Sequence, residues 1–152
     1  MCWLSDLFKP KPPVVPPVIP PAFIPEEYIL SGDDVGKLCM GANDHVYVWD
    51  STYYAFSLDD WKAIIPGVLK DMPKFLAEKW DCDDFAFLCM TRVAEKYEVN
   101  SCGVAVGNAL GGYHAWNLFI AKEGDEFKLH ALEPQHGTID PEGYIPDTVI
   151  FS

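Results

Sequence analysis

The sequence predicts an α+β domain in which N-terminal helices pack on an antiparallel sheet. Three observations carry that expectation. Past residue 25, helix-like periodicity falls in residues 57–69 and 82–97, strand-like stretches follow one another after residue 101, and no internal repeat divides the chain. At 152 residues a single domain is the natural size, large enough to bury a core without disulfides or structural metal.

Residues 1–25 stand apart from this body. Trp3, Leu4, Leu7 and Phe8 recur at helix-like spacing, which makes the first nine residues a candidate to dock on a protein partner or a membrane surface, or to fold back on the domain. Residues 10–25 hold eight of the thirteen prolines, a composition that favours an extended polyproline II segment without internal hydrogen bonds. It reads as a spacer or as a strap lying on the domain; the interspersed Val, Ile and Phe favour the strap. A ligand for an SH3-type partner is the weaker alternative.

The body proper spans residues 26–152. Residues 45–49 alternate and read as a strand, residues 53–56 as another, with Asp50-Ser51 as the turn between them. Ser57-Leu58-Asp59-Asp60 is a helix start of capping-box type with Asp in place of Glu. Trp61, Ile64, Ile65, Val68 and Leu69 supply its buried face, and Pro66-Gly67 should break or kink it. A second helix is expected over 82–97, with Asp81 as N-cap and Asp83 and Asp84 suited to the positive helix end. Phe85, Leu88, Cys89, Met90 and Val93 give it an apolar side. Strands are expected over 102–107, 113–121, 126–135 and about 148–151.

The formal charge of −12, with no basic stripe, excludes nucleic-acid binding driven by phosphate contacts. Five cysteines in no framework-like spacing argue against a disulfide scaffold and for an intracellular, reducing compartment. No run of about 18 apolar residues is present, so no transmembrane helix is expected, and Pro10, Pro12 and Pro13 interrupt any secretory signal.

The chemistry-bearing residues fall in the order Cys, His, Glu. Trp80-Asp81-Cys82-Asp83-Asp84-Phe85-Ala86 places Cys82 at a helix N-terminus, where the dipole favours thiolate. Placing a turn at 122–125 makes cross-strand partners sum to 247. Trp116 then faces Ala131, Leu118 faces Leu129, Ile120 faces Phe127, and His114 falls opposite Glu133 on the same face. Cys82 as nucleophile, His114 as base and Glu133 as its orienter would form a catalytic triad acting on amide bonds through a thioester, with the Cys82 N–H as one oxyanion donor. Trp80, Gln135 and Tyr53 are candidates for substrate contact or the second oxyanion donor. Asp81 and Asn117 are structural supports; Asp83 and Asp84 are weak metal candidates. His45, His130 and His136 read as surface or supporting groups, and Cys39, Cys89 and Cys102 as core.

The Asp-Cys-Asp-Asp-Phe-Ala stretch, with His-Ala-Trp-Asn and Glu-Pro-Gln after it, resembles papain-like and transglutaminase-like cysteine proteinases over residues 45–151. It looks closest to the protease domain at the C-terminus of a mushroom agglutinin and to small bacterial and phage proteins carrying that domain. The resemblance implies a papain-like fold, the triad Cys82, His114 and Glu133, a peptide or protein substrate, and calcium activation without a cofactor in the chemistry itself. Its metal ligands do not carry over residue by residue, and no sugar-binding repeat accompanies it. Two alternatives stand beside a cysteine peptidase: a transamidase using the same residues, and a catalytically silent module that binds a partner.

Overall fold

The computed structural model describes residues 24–40, 45–109 and 111–152. The expected strap and the amphipathic segment before it therefore lie outside the described residues, apart from Ile24 and Pro25. Eleven elements run β1 (Tyr28–Ser31), α1 (Gly32–Cys39), β2 (His45–Val48), β3 (Thr52–Ser57), α2 (Leu58–Val68), α3 (Cys82–Tyr97), β4 (Cys102–Ala109), β5 (Gly112–Glu123), β6 (Glu126–Glu133), β7 (Thr138–Ile139) and β8 (Ile145–Phe151).

The expected papain-like α+β layout, helices first and then an antiparallel sheet, does not hold. One eight-stranded sheet dominates, in the order β1-β3-β5-β4-β8-β2, with β6 beside β5 and β7 beside β6. Strands precede α2 and α3 as well as follow them, and two pairings are parallel, β2 with β8 and β3 with β5. Nor do residues 45–57 form a hairpin. β3 pairs with β1 and β5, while β2 lies at the far edge against β8. The Tyr53 hydroxyl accepts from the Asp50 N–H at 3.1 Å and donates to the Phe151 carbonyl at 3.2 Å, which holds the bend between the two strands against β8.

The helices begin where capping chemistry dictates. The Ser57 hydroxyl accepts the Asp60 N–H at 3.1 Å and donates to the Asp60 carboxylate, and α2 then runs through Pro66 to Val68 rather than breaking before it. α3 occupies the expected residues. The Asp81 N–H donates to Asp84 Oδ2 at 3.2 Å, and Glu98 closes the far end in a left-handed conformation. The Arg92 guanidinium donates to the Val68 and Lys70 carbonyls at 2.9 and 2.8 Å, tying α3 to the end of α2.

Strand alternation sorts the centre of the sheet into two cores. On one side of β5, Trp116, Leu118 and Ile120 pack with Leu30, Val35, Tyr53, Val149 and Phe151. On the other, Phe119 and Ala121 meet Trp61, Ile64, Cys89 and Val93 of α2 and α3. Ala115 lies on the same side and packs with Ala86 and Val104. Asn117 lies on this helix side, fully buried, and its Nδ2 donates to the Ala86 carbonyl of α3 at 2.9 Å and the Gly103 carbonyl of β4 at 3.0 Å. Asn117 thereby bridges α3 and β4. Asn117→Ala removes both of these buried hydrogen bonds and is expected to lower stability on the order of 2–4 kcal/mol. Urea unfolding of the two proteins followed by far-UV circular dichroism checks this, a loss below ~0.5 kcal/mol contradicting the assignment.

Candidate functional site

β5 outruns its partner. The β5–β6 ladder begins at the Glu123↔Glu126 pair and ends at Asn117↔Leu132, so residues 112–116 extend past it while still paired to β4. The observed partners sum to 249, not 247: Leu118 faces Ala131, Ile120 faces Leu129 and Lys122 faces Phe127. The connection is a tight two-residue turn, with Gly124 in the left-handed region at φ +57°. A register change of two keeps every side chain on its face. His114 and Glu133 consequently share a side even though they are not a ladder pair.

They meet directly. His114 Nε2 lies 2.7 Å from Glu133 Oε2. The Glu133 side chain is 6% exposed and that of His114 21%, so a buried carboxylate holds a ring that still reaches solvent. Burying a carboxylate is costly unless its oxygens are occupied, and here they are. The Tyr144 hydroxyl donates to Oε2 at 2.8 Å and the Gln135 N–H to Oε1 at 2.9 Å. Tyr144 also sets its ring edge-on to His114 and Trp116, with centroids 5.8 and 5.0 Å away.

Cys82 sits at the first turn of α3, partly buried, against Ala86, Val104, Ala115 and Val106. Among the described residues no hydrogen bond joins its thiol to His114; the hydrogen-bonded unit consists of His114, Glu133 and Tyr144. The thiol's charged neighbours are acidic. Its sulfur and one oxygen each of Asp81 and Asp83 lie within 4.8 Å of one another. A hydrogen bond that the protonated Asp81 carboxyl donates to Asp83, followed by desolvation, holds the Asp81 carboxyl above its ordinary range. Asp84 is engaged in capping. A thiol and two carboxylates do not fit calcium, which takes six to eight oxygen ligands, so these residues do not make the implied calcium site.

The other candidates scatter. Tyr53 is fully buried in the sheet core with its hydroxyl committed to Asp50 and Phe151, and is not part of this site. Trp80 pairs its backbone with Leu76 and packs edge-on to Phe85, while its indole N–H is buried without a partner. Gln135 leaves the strand, because β6 stops at Glu133, and joins Pro134 and His136 in a turn against Ile65, Leu69 and Met72. Tyr144 went unnoticed: no spacing rule links 133 to 144, and a lone tyrosine between Pro141 and Pro146 was the only signal.

Burial, then the hydrogen bond to Glu133, pushes the Tyr144 phenol up to about 12. An acid whose folded pKa is raised contributes stability below its ordinary value near 10, lost as pH rises through the folded value. Spectrophotometric titration should show a tyrosinate absorbance step near pH 12 that Tyr144→Phe lacks, with no tertiary change at neutral pH.

Fold and site together define a mostly-β domain with a carboxylate-held imidazole at the open end of its central strand. No family model and no curated protein matches the chain. Solved structures do. A PSL1a–E64 complex superposes with a TM-score of 0.68 at 26% identity, covering 81% of this chain and 50% of that one. Polyporus squamosus lectin bound to the human-type influenza-binding epitope Neu5Acα2-6Galβ1-4GlcNAc superposes with a TM-score of 0.65 at 24% identity, covering 81% and 49%. The chain spans about half the length of the solved chains it matches.

These neighbours overturn the expected cysteine-proteinase resemblance. One is described as a lectin and neither as a protease, and no family model or curated protein supports a papain-like assignment. The hydrolase and transamidase readings, the triad mechanism and the peptide substrate are corrected with it.

Proposed function

We propose that this chain is a ligand-binding module and that its ligand seat is the open end of β5, beside the Tyr144 loop. The observation that carries the reading is the His114–Glu133–Tyr144 unit. A solvent-reaching imidazole is fixed by a buried carboxylate that three groups satisfy. Such a ring is ready to make an oriented polar contact without reorganisation, which is the economy of a preformed site. Cys82, Asp81 and Asp83 form a separate thiol–carboxylate cluster at the first turn of α3.

The neighbours support a binding role, since one is described as a lectin bound to Neu5Acα2-6Galβ1-4GlcNAc and the other as a complex with E64. Half of their length is not represented here, so the ligand is read from this chain's own surface: a polar molecule with hydroxyl or carbonyl groups. No helix among the described residues is long and apolar enough to cross a bilayer. Cys82, Cys89 and Cys102 are free of disulfides among the described residues, which accords with a reducing compartment as part of the proposal.

Isothermal titration of the full chain with E64 and, separately, with Neu5Acα2-6Galβ1-4GlcNAc tests the seat. Saturable binding of either compound is expected, weakened about tenfold, or ~1.4 kcal/mol, by His114→Ala. Failure of both to bind would sink the proposal. So would steady turnover of a bound compound that Cys82→Ser abolishes, which would make the chain an enzyme.

A further inference from the structure

The opposite end of α3 carries an apolar surface that nothing among the described residues covers. A groove of about 550 Å³ lies between the start of the described chain and the end of the helix, walled by Ile24, Pro25, Phe56 and Tyr97 and edged by Glu27, Lys96 and Glu98. Phe56 and Tyr97 meet edge-to-face at 6.3 Å, so its floor is aromatic. From this groove an exposed strip continues along the outside of the sheet. Ile29 of β1 stands directly opposite Tyr54 of β3, and the two are 66% and 37% exposed. Ile24, at the mouth, is 84% exposed. Scattered exposed side chains need no explanation, but a continuous aromatic-floored groove with an apolar approach is the surface that extended proline-rich segments occupy.

We propose that the occupant is the chain's own segment 10–23, laid along this groove and strip as a strap. Three features favour it over a foreign partner. The segment enters at the groove itself, because Ile24 and Pro25 already form one wall. Its composition matches: prolines restrict the unfolded segment and so reduce the entropy lost on docking, while Val14, Val15, Val18, Ile19 and Phe23 supply apolar contacts. Its reach is sufficient, since polyproline II rises ~3.1 Å per residue, giving roughly 40 Å for residues 10–23. β1 is also an edge strand, and a strap over it would shield a row of backbone groups from pairing with another chain.

The test uses the full chain with the photo-crosslinker p-benzoylphenylalanine at position 19. The expected result is an intrachain crosslink, mapped by peptide mass spectrometry, to Ile29, Tyr54, Lys96 or Tyr97. Crosslinks to another face, no crosslink, or a product joining two copies would overturn the proposal, the last assigning the groove to a second molecule. A thermal double-mutant cycle gives an independent readout. Val18→Ser with Ile19→Ser should lower the Tm by several degrees in the otherwise unaltered chain and have little effect in a Tyr97→Ser background. Additive losses would count against the strap.

Discussion

The amide of Asn117 is the point from which the arrangement of the domain can be traced. It sits in the middle of the central strand, faces the helices, and uses both of its N–H groups to hold one carbonyl of α3 and one of β4. Helix packing on a sheet is otherwise governed by non-directional apolar contact, here among Phe119, Val93, Cys89 and Trp61. Such contact tolerates sliding; two hydrogen bonds in a dry interior do not. The first turn of α3, and with it Cys82 and the aspartates around it, is therefore placed relative to β5 by a specific interaction rather than by burial alone.

A second constraint acts on the other face of the same strand. The Glu133 carboxylate sits at the end of β6 and is enclosed by a backbone N–H, a phenol and an imidazole. Each partner comes from a different stretch of chain: the turn after β6, the loop before β8, and the free end of β5. Removing one donor would leave a buried charge short of compensation, so the three stretches are held together through one carboxylate. A similar clamp lies farther along β6. His130, stacked on Phe119, has Asp140 at 2.7 Å on one ring nitrogen and Glu123 at 2.8 Å on the other. The carboxylate of Glu123 is held below its ordinary range first by His130 and then by Lys128. This clamp fixes the far side of the loop that delivers Tyr144.

Local signals were legible where local physics decides. Asp81 and the periodic apolar face after it marked α3 to the residue, and Ser57 marked the start of α2. The meeting of His114 and Glu133 followed from parity: mistaking a two-residue turn for a longer one shifted the ladder by two and left both residues on their face. Partner choice was not legible. Alternation in residues 45–48 shows that a strand forms, but not that it will lie parallel to residues 148–151 on the far side of the sheet. β1 and α1 were missed although Ser31 caps α1 through the Asp34 N–H, because elements of four and eight residues depend on distant packing for their existence. The functional reading failed for a related reason: an ordered Cys, His and Glu specify what could react, while no family model supports a proteinase, a structural neighbour is described as a lectin, and the thiol stands outside the hydrogen-bonded unit.

The place of β8 bears on how the molecule is assembled in time. It lies between β4 and β2, antiparallel to the first and parallel to the second. Gly103 and Gly107 let it approach closely, since a Cβ at either would overlap the Ile150 or Ile145 carbonyl. β2 thus has no strand to join until residues 145–151 arrive, although it is made early in the chain. Bringing such distant residues together costs chain entropy before any pairing energy returns, and slows folding. Until that step, Val46 and Val48 lack their cover, and Tyr47 and Trp49 stay exposed even afterwards. The nascent protein therefore carries an adhesive, unpaired strand through most of its folding, and protection against wrong association is needed earlier than the finished fold can supply it.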